Sequence, residues 1–163
     1  MSNNQNILCP NCGKIVSLDH SVCPFCRYTF AADIRKFATL YHDVLDNGLQ
    51  AVSDESLKLI NAQRYEDASY LIQILFERAY MHDGDFRKIA FALHDRHKDA
   101  LALICSEKAL QINPQDPWNH HCAAQCHAEI GILDKAVKYG QEAIQLSPNY
   151  HRWKKAAEEE AAV

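Results

Sequence analysis

Three alanines, Ala68, Ala102 and Ala136, stand 34 residues apart, and a small residue (Ser56, Ala90, Ala124) stands twelve places before each of them. A period of this length marks a chain built from stacked supersecondary units. The pattern continues on the other side: Leu75, Ala109 and Ala143 come seven places after the alanines, and Tyr80, Pro114 and Pro148 twelve places after. The stretches SEKALQINP and GQEAIQLSP align as successive copies. Small residues at fixed places let two helices approach closely, and a proline that cannot continue a helix marks the turn to the next unit. Apolar spacing at Leu71, Leu75 and Phe76, at Leu103, Leu110 and Ile112, and at Val137, Ile144 and Leu146 is helical. It predicts helices over roughly 50–62, 65–79, 85–95, 98–112, 117–129 and 133–146. Asn47-Gly48 and Gly131 fall at helix ends, where a left-handed residue is wanted.

On these residues the body of the chain resembles the tetratricopeptide repeat, whose unit is a 34-residue pair of antiparallel helices. The resemblance implies three units, 49–82, 83–116 and 117–150. It departs from the family in places. Unit one has Glu55 where an apolar residue is usual and no closing proline. Unit two has HDRHKD in its inter-helix turn, and unit three has His120 and His127 at usually apolar or aromatic places. Two flanking helices complete the expected stack. The linking segment 31–48 puts Ile34, Phe37, Tyr41, Val44 and Leu45 on one stripe, suited to cover the open end of unit one. HRWKKAAEEEAAV (151–163) resembles the polar-faced capping helix that such arrays need, with Trp153 and Ala157 toward the last unit. Its EEE run opposes the helix dipole, so the last turn should fray.

Ahead of the repeats, four of the seven cysteines fall within 18 residues as C-x2-C-x10-C-x2-C: Cys9, Cys12, Cys23 and Cys26. The N-terminal MSNNQNILC has neither a basic segment nor an apolar run, so no secretory signal is expected, and this spacing then points to metal ligation rather than disulfides. Each C-x2-C turn can aim two thiolates at one ion, and two turns complete a tetrahedron. Pro10 and Pro24 restrict the turns, and Gly13 supplies a positive φ where the second turn must accommodate Arg27. A thioredoxin-like dithiol needs a βαβ context around one pair, which the surroundings do not offer. CPNCGKIVSLDHSVCPFCRYTF, within residues 7–30, resembles a short zinc ribbon. One structural Zn2+ is the cofactor this implies, because four thiolates leave no open position for catalysis. About 25 residues cannot bury a sufficient core, so the metal must supply folding free energy. His20 stands between the knuckles, an alternative ligand or an exposed turn residue. Ile15, Val16, Val22, Phe25, Tyr28 and Phe30 are the expected apolar face, and Lys14 and Arg27 lie beside the knuckles, either to meet phosphate or to offset the thiolate charge.

In the tetratricopeptide family the first helices of the units line a concave groove for a partner segment. The resemblance places Gln50, Ser53, Leu57, Ile60 and Asn61 there from unit one, Gly84, Arg87, Phe91, His94 and Asp95 from unit two, and Trp118, His121 and Gln125 from unit three. Arg87, Phe91, His94, Trp118 and His121 are the candidate partner-binding residues, since aromatic and arginine side chains dominate binding surfaces. The clamp that grips chaperone tails in this family is not present: Phe91 replaces an asparagine, and unit one offers Ser53 and Leu57. Cys122 and Cys126, four apart on one helix face, could join Cys105, His94 and His97 in a second metal or redox site. The competing role for those cysteines is that of small buried core residues.

Composition narrows the functional classes. With 48% hydrophobic and 23% charged residues the chain is ordinary for a globular protein, and no apolar stretch approaches the roughly 20 residues of a membrane span. A cytoplasmic location is expected. Net charge is −4, distributed as +2 over residues 1–36 and −6 over the rest. There is no GxSxG, GxxxxGK[ST], HExxH or GxGxxG, so no enzyme is expected. The expectation is an all-α helix-pair solenoid with an N-terminal zinc ribbon, acting as a protein–protein adaptor. Its ribbon would serve as a second docking or oligomerisation module, leaving homo-oligomers open. The rival expectation is a nucleic-acid-linked regulator using the mildly basic ribbon.

Overall fold

The computed structural model describes residues 5–34 and 48–147. Six helices follow one another: α1 (Leu49–Asn61), α2 (Tyr65–Glu77), α3 (Asp83–His94), α4 (Asp99–Ile112), α5 (Pro117–Glu129) and α6 (Leu133–Leu146). They pack as antiparallel pairs, α1 with α2, α3 with α4 and α5 with α6, forming an all-α solenoid behind a small cysteine-bearing module. Every one lies within two residues of the span expected from periodicity. The linking helix expected over 31–48 lies mostly, and the capping helix expected over 151–163 wholly, outside the described residues. Among the described residues no helix is long and apolar enough to cross a membrane.

The 34-residue period reappears in the backbone. Gln63, His97 and Gly131 have φ of 61°, 54° and 80°, and each ends the first helix of a pair. At each the same two hydrogen bonds close the turn. Arg64, Lys98 and Ile132 donate their N–H to the carbonyls of Leu59, Leu93 and His127, while Gln63, His97 and Gly131 donate to Ile60, His94 and Ala128. This is the Schellman arrangement, which satisfies carbonyls a helix end would otherwise leave open. Only the third turn has glycine, for which the left-handed region carries no Cβ penalty. Replacing Gln63 or His97 with glycine should therefore raise stability by about 0.5–1 kcal/mol in urea unfolding. An unchanged midpoint would show that stacking already absorbs the strain.

The ends of the second helices differ for a reason visible in the sequence. Tyr80 has an N–H and closes another such turn onto Leu75 through Ala79 at φ 52°. Pro114, its counterpart, has no N–H to give, and α4 instead ends in extended Asn113.

The small residues lie where the helices press together: Ser56, Ala68, Ala90 and Ala102 are fully buried. Around them pack Leu71, Leu75, Phe86, Ile89, Leu93 and Leu101, also fully buried, and each aliphatic side chain among them contributes about 1.5–3 kcal/mol relative to exposure. Unit three is built differently. His120 and His127 occupy core places, and each sets one ring nitrogen on a backbone carbonyl, Pro114 at 2.7 Å and Ala123 at 2.9 Å. The other nitrogens face Glu142 at 3.0 Å and Glu107 at 3.5 Å. One nitrogen of each ring is satisfied by its carbonyl, while His120 Nδ1 and His127 Nε2 lie near these carboxylates without a hydrogen bond. On α6 only Ala143 is buried, and Leu133 and Val137 are 64% and 59% exposed.

The N-terminal module is a two-stranded antiparallel sheet, β1 (Asn6–Leu8) against β2 (Ile15–Ser17), with Ile7 opposite Val16. Its expected apolar face is corrected by the structure. Val16 and Phe30 are buried, but Ile15 and Phe25 are each 57% exposed, and the buried places belong to Ile7, Leu8 and Leu18. Strand alternation accounts for Ile15, which faces away from Val16, whereas Phe25 lies in the second cysteine turn outside either strand.

Candidate metal centre and groove

The two C-x2-C segments fold into matching turns. Gly13 donates its N–H to the carbonyl of Cys9 at 2.8 Å, and Arg27 donates to Cys23 at 3.0 Å. Cys9 in turn donates to Lys14 and Cys23 to Tyr28, at 2.9 and 2.8 Å. Both turns need a left-handed residue after the second cysteine: Gly13 has φ 71° and Arg27 φ 65°. Arginine tolerates the position at a steric cost that glycine avoids.

These turns bring four sulfurs together. All four Sγ atoms lie within 4.8 Å of one another, with Cys9 to Cys26 at 3.6 Å and Cys12 to Cys23 at 3.8 Å. A tetrahedral ion with metal–sulfur bonds of about 2.3 Å requires sulfur separations of about 3.8 Å. The donor set therefore fits a four-coordinate metal ion, and it is the only such cluster of ligand atoms among the described residues. Burial pushes the Cys9 and Cys12 thiols up, whereas the Asn11 side chain and the Tyr28 backbone bring Cys26 down to about 6. His20 lies exposed outside the cluster. Lys14 lays its ammonium over the Phe25 ring, 4.4 Å from the centroid.

Cys105, Cys122 and Cys126 are buried, but they and the neighbouring histidines do not converge on a metal-binding point. Burial raises the Cys105 thiol. The hydrogen bond with Cys126, followed by burial, raises Cys122. Cys105 and Cys122, held protonated inside the core, are poor nucleophiles that pack as small apolar residues, whereas the hydrogen bond with Cys122 lowers the Cys126 thiol.

The first helices of the pairs form one layer, with α1 against α3 and α3 against α5. Aromatic groups meet on it: Phe91 and Trp118 both approach His121, with ring centroids 6.3 and 5.9 Å away. Leu57 and Phe91 are half-buried, while Ser53 and Ile60 are fully buried and present nothing to a ligand. His94 Nδ1 and Gln125 Oε1 are buried and have no hydrogen-bond partner.

Arg87 is tied into the protein itself. It donates to Asp116 and, at 2.7 Å, to the side-chain Oδ1 of Asn119. Buried Asn119 donates to Asp83 at 2.9 Å and to the backbone of Ala109 and Asn113. Asp116 also caps α5 by accepting from the Trp118 N–H at 2.9 Å. A parallel seam joins α1 to α3, where Gln50 donates to Asp85 at 3.0 Å and the Tyr80 hydroxyl reaches Asp85 at 2.6 Å. Burial works against both aspartates. Asn119 and the Gly84 N–H nonetheless hold Asp83 below the usual carboxylate range, and Tyr80 and Gln50 do the same for Asp85. Sequence reasoning missed these seams, although Asp116-Pro117 is a legible helix start, with a capping side chain before proline at the first helical position.

No family model matches the chain, and no curated protein matches it in sequence. Its fold is similar to solved structures of MamA, which share the antiparallel helix pairs of a tetratricopeptide-like array. MamA of AMB-1 aligns with a TM-score of 0.53 and 17% identity, over 71% of this chain and 68% of that one. MamA of MSR-1 aligns with a TM-score of 0.51 and 16% identity, over 72% and 70%.

Proposed function

We propose that this chain is a non-enzymatic protein-interaction adaptor, built from three tetratricopeptide-like units (49–82, 83–116 and 117–150) and a zinc ribbon (7–30). The observation that carries this reading is the layer of first helices with Phe91, Trp118 and His121 gathered on it. Partly exposed aromatic side chains gathered on one surface suit a peptide, whose own side chains can pack among them. Cys9, Cys12, Cys23 and Cys26 hold one Zn2+ as a structural ion. All-sulfur ligation suits zinc and leaves no position for a substrate. Arg87 acts by holding Asp116 and Asn119, and so shapes the surface on which a partner rests.

Affinity capture from nuclease-treated lysate, comparing wild type with Phe91→Ala/Trp118→Ala, tests the reading. Arg87 is left intact because its loss would disturb the seam between units. A protein retained by wild type and lost by the variant, with helicity unchanged by circular dichroism, identifies the groove as the working surface. Identical captures would count against it.

A further inference from the structure

Helix α2 is enclosed on every side, with the eight consecutive residues from Ala68 to Leu75 all buried. A helix in a two-layer array buries one stripe and leaves the opposite face wet. Here the second cover is the cysteine module. Strand β1 lies against α2, and Ile7, Leu8 and Phe30 belong to the same continuous core as Leu71 and Leu101. At the start of α2, Glu66 accepts from the Tyr28 hydroxyl at 2.7 Å and from the Ala31 N–H at 2.9 Å.

The same module also reaches the next helix pair. Gly13, in the first cysteine turn, sits so close on α4 that a Cβ there would overlap the Cδ1 of Ile104 and stand 3.3 Å from the carbonyl oxygen of Ala100. Glycine is required twice over, for its φ and for this approach. One small module thus grips the outer helices of two successive pairs. Those helices have little direct hold on each other. Lys98, just ahead of α4, covers the Tyr65 ring at 4.7 Å, and Lys108 lies over Phe76 at 5.8 Å. The inner helices α1 and α3, in contrast, pack directly.

The geometry points to an intramolecular brace: the cysteine module pins α2 to α4 across the back of the array and fixes the angle between the first two helix pairs. In a stacked array the small rotation between neighbouring units sets the curvature of the whole. With the inner helices in contact, the spacing of the outer helices decides that rotation. The brace thereby sets the shape of the layer that carries Leu57 and Phe91 on the opposite side. Its stiffness depends on the four sulfurs, since the module has too little core to hold its turns unaided. This role rests on the metal-site reading only for that stiffness, and it is independent of what the groove binds.

Hydrogen exchange on the full-length, zinc-loaded chain tests the brace, with zinc content measured on each sample. Gly13→Ala keeps all four cysteines. It should retain one zinc per chain while amides of α2 and α4 exchange about tenfold or more faster, with α5 and α6 unchanged. Adding Ile104→Ala, which vacates the overlapped methyl, should recover much of that protection. Glu66→Ala removes the Tyr28 and Ala31 anchors without touching a cysteine turn, and should produce the same local loss. If both Gly13→Ala and Glu66→Ala keep zinc and leave α2 and α4 protected as in wild type, there is no brace. If Gly13→Ala loses zinc, Glu66→Ala decides alone, unchanged protection overturning the proposal and local loss supporting it. Should the wild-type chain bind no zinc at all, the metal reading fails, and Glu66→Ala still decides the brace.

Discussion

Replacing Cys23 with serine will abolish stoichiometric zinc binding and unfold residues 7–30. Cys23 is fully buried, its N–H is committed to Tyr28, and its sulfur stands 3.8 Å from that of Cys12. Metal binding in modules this small is worth on the order of 10–16 kcal/mol and is inseparable from their folding. Zinc content by mass spectrometry should fall from one ion per chain to none. The exchange protection of residues 7–30 should disappear with it. His20→Ala provides the contrast. His20 lies outside the sulfur cluster, so metal content and protection should both survive. A Cys23→Ser chain that still holds one tightly bound zinc would mean that another residue completes the site.

The second large effect is expected in the repeat core. Phe86 is fully buried, and its ring meets Phe76 edge-on at 5.2 Å and Tyr80 at 6.0 Å. Truncating such a side chain removes its transfer free energy and leaves a cavity, at a combined cost of about 3–5 kcal/mol. Domains of this size have total stabilities of about 5–15 kcal/mol. Phe86→Ala should therefore lower the urea midpoint sharply, and Phe86→Leu much less. Near-equal midpoints for wild type and Phe86→Ala would place the weight of the core elsewhere.

The fold was legible because its signal is periodic. Alanines at 34-residue spacing name places where helices touch, and the structure buries Ala68 and Ala102 completely but Ala136 only in part. The sulfur cluster was legible for a similar reason, since two short C-x2-C turns bring their ligands near one point. What stayed hidden is long-range and aperiodic. Nothing around Gly13 announces Ile104, and nothing around Tyr28 announces Glu66, because such contacts join segments that are far apart in sequence. Arg87 shows the limit most plainly. A family resemblance places it in the groove, whereas Asp116 at the end of its own unit and Asn119 of the next one engage it. The apolar face of the cysteine module was misassigned because strands this short alternate over too few residues to show which face is covered.

The exposure of α6 gives the array a direction. One end has its outer helix wrapped by the cysteine module, while at the other end Leu133 and Val137 stand exposed among the described residues. In a one-dimensional array each unit is held by its neighbours, so the least-covered unit opens first. Heat, denaturant or a pulling machine should open α6 before α2, the helix wrapped by the cysteine module.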